Sequence, residues 1–503
     1  MKLRRITDVG LKAVTGLILA IALILTFTVS DYYIFNRIGE FNFFFVFSQW
    51  MKKAGLLLLP LAVYYNKKCC SDIFKYVLPL FVILSSCTFG SFFDVSAEAN
   101  AQTPSELLFA HMNGFMPKAA NMTLFFISNA LYLAACVLLF LRDGREWYKV
   151  KAKSFIYLPF AIVACMPLNI FENFFDIANF SRSGFWWFRN FTLWHFLMIA
   201  VLVAFTVGAY YFLRKKEKKA QEDFLVAAAI VMLIQYHSKD SMVMGDGYNV
   251  YHSVFACIPL FICNIGVYIA ALSVILKKKL LYAISFFVHA AGAVSVFVYF
   301  GKDEMSNYGI ICSYSILYFC LTHILLFALS VMPTALGHYK FRMKDCLIPL
   351  AYYFAVIVVA TVSSALVTSY LTDYAYGGHI LGEVAPEQQL LPNYAFTQIN
   401  PFPFEVPVWG LTIWKYKVNL LYVLGLYVAY VAIFFAFNGA YYAFLAVRKR
   451  VLVAMLRRRT ASAVKAKTPA GEVLEEAAVA EEKSAAAEKP EQEEQQDEQE
   501  PTE

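Results

Sequence analysis

One thiol and one imidazole, placed inside neighbouring apolar runs, are the residues of this chain best suited to chemistry. Between Ile258 and Met332 the sequence reads as three consecutive membrane-spanning helices, IPLFICNIGVYIAAL, a run around HAAGAVS, and LYFCLTHILLF. The first carries Pro259, Cys263 and Asn264; the third carries Cys320 and His323. An ionisable side chain within a hydrocarbon layer about 30 Å thick is costly, so a histidine there points to function. A thiolate is the nucleophile, and a thiol in a low-dielectric site needs a base within hydrogen-bond reach. At 1.5 Å per residue, Cys263 lies ~14 Å and His323 ~21 Å below the outer helix ends, close enough for one mid-membrane layer. Asn264, about 100° around the helix from Cys263, is a support candidate for an oxyanion.

Bland readings stand beside these. Free cysteine is among the most buried residue types and packs as a small hydrophobe. Cys320 precedes His323 by three residues, on the same helix face, as a second thiol or a metal ligand, but two residues make no metal site. His289, on the intervening helix, is an alternative base or a packed bundle histidine. His195, near the outer end of its helix, reads as solvated at the interface. Gln235 and Tyr236 open a polar cluster running to Asp240 that suits either headgroup contact or a solvated helix end.

The elements that position these groups follow from composition. The 503 residues are 60% hydrophobic and 17% aromatic, against 45–50% apolar in ordinary soluble domains, so the solvent is a bilayer. Apolar runs fall at 12–33, 43–65, 75–92, 120–141, 154–173, 192–213, 223–237, 254–276, 280–300, 309–332, 347–371 and 418–445. Lys52 and Lys53 interrupt the second run, and the seventh is short. Basic clusters follow every second run: Lys67 and Lys68, Arg142 to Lys153, RKKEKK at 214–219, Lys277 to Lys279, Lys340 to Lys344, and RKR and RRR within 448–459. Positive charge collects on the cytoplasmic side. The expected fold is therefore an all-α polytopic membrane protein of about twelve transmembrane helices, with N- and C-termini cytoplasmic.

The net charge of +7 speaks to topology rather than to nucleic acid. Residues 448–459 suit anionic lipid at the inner leaflet. The segment 463–503, rich in Glu, Ala, Gln and Lys, is expected to be a disordered acidic cytoplasmic tail, and its composition names no cytosolic partner. The ten cysteines show no CxxC or Cys/His zinc spacing; neither metal nor cofactor is called for.

Residues 192–445 resemble the YwaF-like integral membrane proteins, seven-helix bacterial relatives of an animal family of membrane lipid acyltransferases. The resemblance rests on TLWHFLMIAVL with His195, on IPLFICNIG with Pro259, Leu260 and Cys263, on HAAGAVS with Gly292, on YFCLTHILL with His323, and on NYAF with Asn393 and Tyr394. It departs from the family where Phe261 and Ile262 precede the cysteine, and in an open VWGLTIWKYK segment. It implies a seven-helix module at 192–447 and leaves an N-terminal five-helix extension at 1–191 outside it, while the charge pattern marks 448–462 as a basic juxtamembrane segment. It also implies an acyl-carrying Cys263, a base at His323, membrane phospholipids as substrates, Pro259, His195, Gln235, Tyr236, Asn393 and Tyr394 about the pocket and its mouth, and residence in a bacterial cytoplasmic membrane. The competing classes are a transporter or lipid carrier and a membrane scaffold or sensor. Helix interiors with almost no Asp or Glu count against ion-coupled transport.

Overall fold

A computed structural model describes residues 2–28, 43–89, 118–144, 148–171, 185–246, 255, 257–298, 310–311, 313–375, 393–398 and 406–467. The tail beyond 467 and the acidic residues Glu172 and Asp176 lie outside the described residues. The chain divides into two compact units, Met1–Ala436 and Phe437–Glu503. All the candidate site residues lie in the first.

Every apolar run contains helix. The helices are α1 (Lys2–Thr28), α2 (Phe43–Val63), α3 (Lys68–Cys87), α4 (Lys118–Asp143), α5 (Leu158–Ala164), α6 (Leu193–Leu213), α7 (Lys218–Asp246), α8 (Ile262–Leu276), α9 (Lys279–Val298), α10 (Tyr314–Ala335), α11 (Leu347–Tyr370) and α12 (Leu420–Lys467). Among the described residues, eight are long and apolar enough to cross a membrane: α1, α3, α4, α6, α9, α10, α11 and α12. The expected twelve transmembrane helices are thus corrected to eight candidate spans among the described residues. In α2 the midway lysines lower the hydropathy, and α7 is polar at both ends. The run at 154–173 breaks into a 3-10 turn (Ala152–Tyr157) and the seven-residue α5. Pro259 lies outside the helix that Phe261 caps, leaving α8 with 15 residues, about 22 Å and short of the hydrocarbon thickness. α12 runs to Lys467, into the segment expected to be tail.

Among the described residues the regular structure is helical apart from an isolated Trp187–Ile310 bridge and a two-stranded antiparallel hairpin, β1 (Gly410–Ile413) on β2 (Tyr416–Asn419), with Leu411 opposite Val418. The tryptophan-rich segment builds it, turning through Trp414, which adopts φ +54°.

Two helix groups are joined by α7. In the first, α2 packs on α3, α3 on α4 and α4 on α1. In the second, α10 is the central post, touching α6, α7, α8 and α9, and most of its side chains are buried. α7 packs on α1 and α2 as well as on α8 and α10.

The N-terminal end of α7 is fastened by polar contacts. Gln221 gives its amide to the Leu213 and Lys216 carbonyls, so its oxygen accepts from His338 Nε2–H at 2.6 Å. Lys277 meets Glu222 at 2.5 Å, and Lys67 pairs with Asp223. The Glu222 contact raises the Lys277 pKa, whereas burial holds the His338 imidazole below its ordinary 6.5. A lowered folded pKa means protonation favours the unfolded chain: the full contribution is present above about pH 6.5 and is lost as pH falls from there through the lowered folded value. Thermal unfolding at pH 7.5 and 5.5 is expected to show a drop at the lower pH that is smaller in His338→Gln; an equal drop would discard this linkage.

Candidate functional site

Cys263 sits in the first turn of α8, half-buried, and its thiol donates weakly to the Asn264 side-chain oxygen at 3.6 Å. The site's approach comes from the NYAF segment. Asn393 holds a 3-10 turn over Tyr394–Phe396 by accepting from the Gln398 amide at 2.9 Å. Tyr394 is fully buried, bonds its hydroxyl to the Phe255 carbonyl at 2.6 Å, and takes its own amide to Ser364 on α11. Phe261, two residues past the half-buried Pro259, meets the edges of Tyr394 and Phe396. The proline motif and the NYAF motif thus come together at the start of the cysteine helix.

His323 is buried at mid-helix on α10, which packs directly on α8. Its Nδ1 lies 2.8 Å from the Phe319 carbonyl one turn back. A carbonyl only accepts, so Nδ1 carries the proton and the neutral ring presents Nε2 as a bare lone pair. That nitrogen is buried with no hydrogen-bond partner among the described residues. Neither ring nitrogen bonds the Cys263 sulfur. Cys320, one turn away, is buried in an apolar cluster with Phe188, Leu202, Phe297 and Phe319.

His289 is engaged at Nε2 only; its Nδ1, like His323 Nε2, is buried with no hydrogen-bond partner among the described residues. It ends a π-helical turn, Ser285–His289, a feature found often at functional sites, and its Nε2 lies 3.1 Å from the Tyr352 hydroxyl. Its ring abuts α8 at Gly266, where a Cβ would fall 2.7 Å from Nδ1. Only glycine lets the two helices approach there. Gly266 and Tyr352 carry no sequence signal separable from ordinary membrane-helix composition.

The expected solvation of two mouth candidates is corrected. His195 is 1% exposed and clamped between two backbones, accepting from the Phe191 amide at 2.9 Å and donating to the Phe297 carbonyl at 2.7 Å. It is a structural tie between α6 and α9 rather than a solvated interface residue. Gln235, Tyr236 and Ser238 are buried too. Gln235 gives its amide to the Ala164 and Met166 carbonyls, satisfying the end of α5. No group of three or more metal-ligating side chains occurs among the described residues.

The fold and the buried polar site define a multi-pass integral membrane protein. Within it, residues 190–413 match the model of the TMEM164 family, an animal transmembrane acyltransferase family, over a little under half of the chain. That region holds all the candidate residues named above and ends inside β1, short of the 445 at which the YwaF-like resemblance ends. No curated protein and no solved structure matches the chain.

Proposed function

We propose that this protein is a membrane-embedded lipid acyltransferase, of the YwaF-like bacterial kind, that uses Cys263 as nucleophile and His323 as base. The supporting observation is the bare, buried Nε2 of His323 on a helix packed against the cysteine helix, inside the region matching an acyltransferase family. Catalytic hydrogen bonds are often unformed before substrate binds, so the ring and thiol close on each other with the acyl ester in place.

His323 Nε2 takes the Cys263 proton, and the thiolate adds to the ester carbonyl of a donor phospholipid. The tetrahedral oxyanion collapses, the C–O bond breaks, and the departing lysolipid alkoxide recovers the proton from the imidazolium. A thioester remains on Cys263. His323 then deprotonates the hydroxyl of an acceptor lysolipid, or water in a hydrolase, which attacks the thioester and releases the thiolate; the proton returns to sulfur. The Asn264 amide nitrogen is available to an oxyanion, because its oxygen faces the thiol. Both termini face the cytoplasm in this reading, since the eight candidate spans among the described residues are an even number and the 448–459 cations suit the inner leaflet.

Purified protein in lipid, given a phospholipid with a labelled acyl chain, should acquire a label that hydroxylamine removes. Cys263→Ala should acquire none; equal labelling of that variant excludes the nucleophile.

A further inference from the structure

A cavity of about 890 Å³ lies between the N-terminal helices and the family region. It sits away from the proposed chemistry: Cys263, His289 and His323 do not line it. Leu23 of α1, Ile230 of α7 and Tyr268 of α8 contribute to a wall that is mostly apolar. Into that wall are set Lys52 and Lys53, midway along α2 and each under 10% exposed. Lys53 Nζ donates to Ser238 of α7 at 2.7 Å; Lys52 Nζ lies 4.6 Å from the Phe125 ring centroid. The lining residue Gln49, one turn before Lys53, has a buried amide nitrogen with no hydrogen-bond partner among the described residues.

We propose that this cavity binds a single-chain anionic lipid, a long acyl chain ending in a carboxylate or phosphate. The volume falls within the roughly 300–1,000 Å³ of small-molecule pockets, where an apolar wall and a few convergent polar groups set orientation. The wall takes the chain. Lys52 and Lys53 give this wall two cationic side chains, which an anionic headgroup complements. Each ammonium has three N–H donors, and the Gln49 amide adds another. The lysines lie outside the region that matches the family, so the N-terminal helices supply the headgroup site while α7 and α8 supply part of the chain site. This inference stands independently of the acyl-transfer reading.

The test uses full-length protein in nanodiscs of neutral phosphatidylcholine and a photoactivatable C18 fatty acid. Adducts are expected on peptides spanning 19–26, 45–60 or 226–238, displaced by oleic acid or by a lysophosphatidic acid of equal chain but not by oleyl alcohol. Which acid competes better identifies the headgroup. Lys52→Gln/Lys53→Gln should weaken displacement by about tenfold or more, the worth of a charge-assisted hydrogen bond. Ile230→Trp, which fills the cavity and leaves the lysines, should abolish the adduct in a monodisperse protein. Adducts confined to lipid-facing α6 or α11, equal competition by the alcohol, or undiminished labelling in Ile230→Trp would overturn the proposal. Each outcome is read without any acyl-transfer assay, so failure here leaves Cys263 untouched.

Discussion

His323→Ala will slow acyl transfer by about 10²–10⁴-fold, the usual worth of a positioned general base, whereas His289→Ala will leave the rate within a few-fold and lower thermal stability instead. Each ring keeps one buried nitrogen without a hydrogen-bond partner among the described residues, His323 Nε2 and His289 Nδ1, and the rings differ in what holds the other nitrogen. His323 spends Nδ1 on the Phe319 carbonyl and keeps Nε2 vacant; that bond fixes ring and tautomer, as a general base requires. His289 has Nε2 committed to Tyr352 on α11 and its other edge pressed on Gly266. Removing it opens a void between α8, α9 and α11 and strands the Tyr352 hydroxyl, a loss of packing and of a buried hydrogen bond. Single-turnover transfer at saturating donor, read beside thermal unfolding, separates the two. The opposite pattern, rate lost in His289→Ala and kept in His323→Ala, would move the base to the π turn. Tyr352→Phe should follow His289→Ala in both measurements.

Hydropathy locates every helix but overcounts the crossings, because a run of apolar residues records composition and not continuity. Pro259 reads as part of a motif, yet it also shortens α8; the run holding Pro159 and Pro167 yields only seven residues of α-helix. The basic clusters alternate as loop exits only if the chain crosses twelve times, and that count does not survive. The site is legible in part. The motif order brings Phe261 to Tyr394, as their ring contact shows, but no spacing rule reveals that His323 bonds its own helix or that His195 joins two backbones. The cluster from Gln235 reads as solvated because polar residues at a helix end usually are; here Gln235, Tyr236 and Ser238 are buried, and Gln235 satisfies the broken end of α5. Lys52 and Lys53 register in the sequence only as defects in a helix. A lysine pair midway along an apolar run is the signal by which a buried cationic site can be found.

Asp143→Asn is expected to destabilise the N-terminal helices by roughly 3–5 kcal/mol, the cost of breaking a buried pair and leaving its charge behind. Lys75 on α3 has a fully buried side chain and pairs with Asp143 at the end of α4; Asp72 stands 3.5 Å from the same nitrogen. Lys68 reaches both carboxylates, at 3.5 Å from Asp72 and 3.2 Å from Asp143, and Ser154 donates to Asp72 at 3.1 Å. The network ties α3 to α4 and to the turn before α5, and Arg142 extends it to the Ala62 carbonyl at 3.0 Å. Its energetic content is asymmetric. Removing the carboxylate leaves a desolvated ammonium with one more distant partner, whereas removing both charges leaves nothing uncompensated. Lys75→Met/Asp143→Asn should therefore be more stable than Asp143→Asn alone, because methionine fills the ammonium's space without its charge. Reversible unfolding of Lys75→Met, Asp143→Asn and the double variant in one detergent gives the coupling directly. Additive losses, with the double variant weaker than either single one, would show that the pair is a surface ornament and that apolar packing alone holds α3 to α4.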